Sequence, residues 1–140
     1  MKLSELNSIT ACNQLKSLLE DVLQDIDTRV CINYPETNVP ENFIALSANG
    51  GMEDRGDCAE GIILLNICVK LLKDKEINNI KLTRILEKIN EVLKYNGARK
   101  DNYFFIVSDK YNFIDDIDYS LGYSVKSLNI FFRIERESNY

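Results

Sequence analysis

Residues 48–72 read ANGGMEDRGDCAEGIILLNICVKLL, a polar glycine-containing loop that runs straight into a long apolar segment. Ile62, Ile63, Leu64 and Leu65 are consecutive, and Ile67, Cys68, Val69, Leu71 and Leu72 follow them. Such a run is rich in β-branched side chains and apolar at both parities. A strand exposed on one side would alternate instead, so the run predicts a strand buried on both faces, in the middle of a sheet.

The flanking sequence arranges itself around that strand. Phe43-Ile44-Ala45-Leu46-Ser47 is a second strand, and Asn49-Gly50-Gly51 opens a loop that ends near Asp57. Strands on both sides of one loop predict an antiparallel hairpin with a long tip, its second arm being Ala59–Leu72. Upstream, Leu15, Leu18, Leu19, Val22 and Ile26 keep the spacing of one helical face, which predicts a helix over Ser8–Gln24 capped by Asn7 or Ser8. Thr28–Asn33 reads as a short strand closed by Tyr34-Pro35 and the polar run to Pro40. Downstream, Leu82, Ile85, Leu86, Ile89, Val92 and Leu93 make one apolar stripe, so a second helix is expected over Asn78–Tyr95, with Asn96-Gly97 as its left-handed exit. Asn102–Ser108 is a short aromatic strand, Asp109–Gly122 a polar loop, and Tyr123–Glu135 a strand of period two. The expected fold is one α+β domain over residues 1–140: a mixed, mainly antiparallel single-layer sheet of about four to five strands, two amphipathic helices and a long hairpin.

Composition narrows the function classes. At 45% hydrophobic and 28% charged, the 140 residues are those of a globular protein rather than a disordered one. No apolar run approaches the roughly 20 residues a membrane helix needs, and the first residues lack the apolar core of a signal peptide. The default expectation is the cytoplasm. Twenty-two acidic residues against 17 basic ones disfavour a phosphate-binding surface. The same acidic balance suits a surface past which DNA slides without sticking.

Candidate chemistry is sparse. Histidine is absent, which excludes serine–histidine and cysteine–histidine nucleophile systems. Cys12, Cys31, Cys58 and Cys68 form no C-x-x-C pair. Three of them sit among apolar neighbours as small core residues, and Cys58 is the expected exposed thiol. Asp115, Asp116 and Asp118, with Asp109 upstream, are the one carboxylate cluster. They lack the ligand frame of a calcium loop and read as a solvated loop. Asn49-Gly50-Gly51 lacks the Lys-Ser/Thr of a phosphate loop and precedes a strand, not a helix. Arg55-Gly56-Asp57 spells an adhesion tripeptide, but three residues recur by chance. Tyr103, Phe104, Phe105, Phe131 and Phe132 lack interleaved cations and fit the core and sheet edge better than a base-stacking platform.

The order of these segments resembles the tail terminator and tail-completion proteins of long-tailed bacteriophages, lambda-like in type. The resemblance rests on the N-terminal helix and strand, the turn from Tyr34-Pro35 to Pro40, PENFIALSA entering the hairpin, the polar tip GGMEDRGD, the strand GIILLNICVKLL, the amphipathic helix and the final strand SVKSLNIFFRIE. It implies a structural virion protein, assembled in the host cytoplasm, that forms a hexameric ring at the head-proximal end of the tail. There it would stop polymerisation of the tail tube protein and meet the head connector, with DNA only as passing cargo and without cofactor, metal or catalytic residues. In that setting Asn49, Gly50, Gly51, Met52, Glu53, Asp54, Arg55 and Asp57 would be an arm reaching a neighbouring subunit, and Tyr123–Glu135 would offer a second free edge. The alternative is a cytoplasmic binding module of the immunity type, which blocks a partner through an acidic face.

Overall fold

The computed structural model describes residues 3–35, 42–108, 114–118 and 122–135, with 3–8 and 114–118 described as backbone. The elements run α1 (Leu3–Val22), β1 (Arg29–Ile32), β2 (Asn42–Ala48), β3 (Glu53–Asp54), β4 (Cys58–Lys70), α2 (Asn79–Leu93), β5 (Ala98–Lys100), β6 (Tyr103–Val107), β7 (Ile114–Asp118) and β8 (Tyr123–Glu135). The architecture is α+β: one sheet, all antiparallel except for the parallel pair β1–β2, with two helices. Its eight strands exceed the expected four to five. The main path is β1-β2-β4-β8-β6-β5, with β3 added beside β4 and β7 beside β8.

The two 13-residue strands β4 and β8 are the spine of the sheet. They pair along their whole length, from Cys58↔Glu135 to Lys70↔Tyr123. Each carries two shorter partners end to end on its outer edge. Along β4 these are β2 and then β3; along β8 they are β6 and then β7. The expected β2–β4 hairpin is present. The expected free edge at Tyr123–Glu135 is not, because β8 is flanked on both sides and its backbone groups are already engaged.

Both helices lie on one face. There Ile63, Leu65, Ile67 and Val69 of β4 meet Leu128, Ile130, Phe132 and Ile134 of β8, and the helices close over them. From α1 come Ala11, Cys12, Leu15 and Leu19, at the spacing of a single face. From α2 come Ile85, Ile89 and Leu93, the centre of the expected stripe. The Asn78 side chain caps α2, its Oδ1 accepting from Lys81 N at 3.2 Å. The first helix starts five residues before Ser8, so Asn7 and Ser8 lie inside it rather than capping it. Nothing in Leu3–Ser8 is glycine or proline, and the helix simply continues through these residues. Past α1, Leu23 and Ile26 stay in the core through tight turns, with Leu23 N donating to Leu19 O and Ile26 N to Leu23 O.

Among the described residues the opposite face has no helix on it. At one end Cys31, Phe43, Ala45 and Cys68 form a small buried cluster with Tyr123 and Val125 against it. Phe43 makes edge-on ring contacts with Tyr34 and Tyr123, at centroid distances of 6.1 and 5.4 Å. Beside the cluster, buried Asn66 is satisfied on both sides: its Nδ2 donates to Tyr34 Oη at 2.7 Å, and its Oδ1 accepts from Ser127 Oγ at 2.6 Å. Further along, Ile62, Leu64, Ile106 and Phe131 are only half-buried. The two-sided burial expected for β4 is therefore met on one side by helices, and over its first half the other side is left without a layer among the described residues.

Candidate functional site: a cleft on the uncovered face

The hairpin tip is stitched to the sheet rather than extended as an arm. Ladder pairing from β2 ends at Ala48↔Ile63 and resumes at Glu53↔Glu60. Four residues, Asn49–Met52, thus oppose two, Gly61 and Ile62, which makes an irregular bulge in the β2–β3 edge. Asn49 N donates to Ile62 O at 2.9 Å, and Gly50 takes a left-handed φ of 85°, as the sharp departure requires. A tight turn closes the tip. Arg55 N donates to Cys58 O at 2.8 Å, Gly56 N to Asp54 Oδ1 at 2.9 Å, and Gly56 has φ 91°. Since Cys58 already pairs with Glu135, little more than the Arg55–Asp57 turn extends past the paired part of the sheet.

The bulge and the sheet enclose an open cleft of about 300 Å³ lined by Gly51, Glu53, Glu60, Gly61, Ile62, Ser108 and Phe131. Its floor is Ile62 in register with Phe131, and the same cross-strand row continues past the cleft to Ile106, in register with Phe131 from its other side. Its rim is ionic. Arg133 Nε and Nη2 both donate to Glu60 Oε1, at 3.1 and 3.0 Å. Arg55 Nε donates to Glu60 Oε2 at 3.1 Å, and Arg55 Nη2 to Glu53 Oε2 at 3.3 Å. Glu60 is the anchor, with its side chain 17% exposed against 52% and 44% for Arg55 and Arg133. Exposed pairs of this kind contribute tenths of a kcal/mol each. Their effect here is to fix where the carboxylates stand.

The expected site residues divide accordingly. Gly51 and Glu53 line the cleft and Arg55 braces its rim. Asn49 reaches across the sheet, Nδ2 donating to Asn129 Oδ1 at 3.1 Å. Met52 is partly buried and packs against the main core. Gly50, Asp54 and Asp57 are exposed on the bulge and turn. The sequence reading missed Glu60, Ile62, Ser108, Phe131 and Arg133, which the register brings together from three different segments. The one signal for them was the apolar character of Ile62 and Leu64 at the second parity of β4.

Elsewhere, Asp115, Asp116 and Asp118 belong to β7, paired with Lys126, Val125 and Tyr123, and not to a loop. Asp109 lies outside the described residues. Among the described residues no group of three or more thiols and carboxylates is placed to hold a metal. Cys12, Cys31 and Cys68 are buried, as expected, and Cys58 is the more accessible thiol. Burial pushes the Cys12 thiol up and the Cys68 thiol up to about 12. Cys58 is also held above its ordinary value, by desolvation first and then by the Asp57 and Glu60 carboxylates. None of the three is poised as a thiolate.

No protein-family model matches the chain, and none of the curated proteins matches its sequence.

Proposed function

We propose that this chain is a structural assembly protein that works by associating with further copies of itself, as a ring of the tail-terminator kind at the head-proximal end of a phage tail. The observation that carries the reading is the row Ile62–Phe131–Ile106, with Leu64 beside it, on a sheet face that among the described residues lacks the helical layer covering its other side. Sheets with one face in water ordinarily turn polar residues outward. An apolar row flanked by charged groups is the composition of an interface core and rim. The sequence of β4 asks for two layers. The chain's own helices supply one, and a neighbouring polypeptide supplies the other.

In this reading the hairpin tip is part of the rim, not an arm. Glu53 and Arg55, held by Glu60 and Arg133, set orientation while the apolar row is desolvated. The net charge of −5 suits a ring through which DNA passes without adhering. The reading requires no cofactor and no catalytic group. It is tested by adding the protein to tail tube subunits under polymerising conditions and imaging the products. Tubes that stop short, with extra density at one end, are the expected result. Tube lengths indifferent to the protein would count against the assignment.

A further inference from the structure

Two Asn-Gly pairs stand in the chain, Asn49-Gly50 at the start of the bulge and Asn96-Gly97 past the end of α2. An asparagine ahead of glycine is unusually open to attack by the next backbone nitrogen, because glycine puts no side chain in the path. In a folded chain the attack needs two freedoms. The peptide between the two residues has to turn, and the asparagine amide has to leave its partners. The two sites differ in both.

Asn96-Gly97 is locked by its backbone. Gly97 has φ 68°, and a Cβ built on it would stand 2.6 Å from both Cε2 of Phe104 and the Phe105 carbonyl oxygen. The Phe104 ring is itself held, with the Arg99 guanidinium 5.4 Å from its centroid. The next residue, Ala98, is already in the ladder opposite Phe105. A turn of the Asn96–Gly97 peptide therefore runs into the sheet. At Gly50 and Gly51 the same construction meets nothing within 4 Å. Asn49–Met52 stand outside the ladder, so the peptide after Asn49 turns without breaking strand pairing. What restrains Asn49 is its side chain, through the exposed 3.1 Å bond from Nδ2 to Asn129 Oδ1.

We propose that Asn49 is a site of spontaneous deamidation, with its hydrogen bond to Asn129 as the gate. When that bond opens, Gly50 N attacks Asn49 Cγ. The N–Cγ bond forms, the Cγ–Nδ2 bond breaks, and Nδ2 leaves as ammonia with the proton from Gly50 N–H. Water then opens the succinimide ring at one of its two carbonyls. Attack at Cγ leaves aspartate, and attack at the main-chain carbon leaves isoaspartate, whose backbone runs through Cβ and Cγ. Either product adds a negative charge to a chain already at −5. The charge falls on the uncovered face, where Asn129 shares the parity of Phe131 along β8, and two residues from Gly51 in the cleft lining. The extra backbone atom of isoaspartate falls in the bulge, where the ladder is already interrupted. The modification acidifies the edge of the cleft as the protein ages and leaves the strand pairing in place. It is independent of the ring reading.

The test is to age the full chain in mildly alkaline buffer, with and without urea, and to follow both asparagines by peptide mapping with mass spectrometry, which separates the asparagine, aspartate and isoaspartate forms. In urea the two sites are expected to react at similar rates. In the folded protein Asn49 is expected to run severalfold ahead of Asn96. Asn129→Ala should speed Asn49 about two- to tenfold, the population that one hydrogen bond of ordinary net strength holds back, and leave Asn96 unchanged. Asn129→Asp keeps an acceptor for Nδ2 and should stay near the wild-type rate, with circular dichroism confirming the fold of each variant. Asn96 reacting as fast as Asn49 in the folded protein, or an Asn49 rate indifferent to Asn129→Ala, would overturn the proposal. The wild-type comparison needs no variant, so it decides even where a substitution disturbs the fold.

Discussion

Gly61 sits in the middle of the sheet, in register with Phe132, and the ring of Phe132 lies over it. A Cβ built on Gly61 would stand 2.6 Å from Cζ and 2.7 Å from Cε1 of that ring. Carbon pairs are at their best near 3.5–4.0 Å, so two ring atoms overlap the added methyl by about 1 Å. The ring has little freedom to withdraw. Phe132 is 2% exposed, and across its other side stands Phe105, fully buried and in register with it. Overpacking of this kind costs about 1–3 kcal/mol. Alanine recovers roughly 0.5–1 kcal/mol through the smaller backbone entropy of its unfolded chain. Gly61→Ala is therefore expected to destabilise the fold by about 1–2 kcal/mol, although alanine is the less flexible residue. The chain has no tryptophan, so the assay is urea unfolding followed by circular dichroism. With an m-value near 2 kcal/mol/M, the midpoint should fall by about 0.5–1 M. Phe132→Leu removes the offending ring atoms, and in its background the Gly61→Ala penalty should largely vanish, a coupling that a double-mutant cycle measures. A Gly61→Ala protein as stable as the wild type, or one whose loss is untouched by Phe132→Leu, would refute the packing argument.

Three further outcomes follow from other parts of the structure. Ser127→Ala leaves Asn66 Oδ1 without its 2.6 Å donor at a position 8% exposed, and should cost about 1–3 kcal/mol in thermal or urea unfolding. Asn78→Ala removes the α2 cap and should cost about 1 kcal/mol, seen as faster amide exchange in the first turn of that helix. The thiols give a pH signature. Cys68 stays protonated in the fold up to about 12, whereas in the unfolded chain it ionises near its ordinary value of 9.0. The native state then holds more protons than the unfolded one, so stability should fall as pH rises from about 9 toward 12. Cys68→Ala should flatten that slope. At pH 8 a thiol reagent should find Cys58 first, and slowly, because its raised pKa leaves little thiolate.

What was legible in the sequence had local period and strong composition. The α2 stripe, the β2–β4 hairpin and the alternation of β8 were each written in residues close together along the chain. The strands that went unread are short or run against propensity. β7 reads IDDID, a segment that composition marks as a polar loop; it is a strand because the outer edge of β8 at Tyr123–Ser127 gives its backbone a partner. β3 and β5, at two and three residues, have no periodicity to detect, and the parallel pairing of β1 with β2 is a long-range choice that neither segment announces. The site was half legible for the same reason. Its tip residues are contiguous, but its floor exists only once register sets Ile62 against Phe131. The apolar second parity of β4 was read as burial on both faces, and the strand meets that only in its second half. Its first half, at Ile62 and Leu64, was assigned to a layer that no described part of this chain provides.

That missing layer is the central claim, and native mass spectrometry of the intact protein beside a Leu64→Lys variant tests it most directly. Leu64 is half-buried on the uncovered face and outside the main core, so the variant should keep the wild-type fold. The account predicts a closed oligomer for the wild type, a hexamer if the resemblance to tail terminators holds, and monomer for Leu64→Lys at the same concentration. A wild type that is monomeric at every concentration, or a Leu64→Lys protein that assembles equally well, would contradict it.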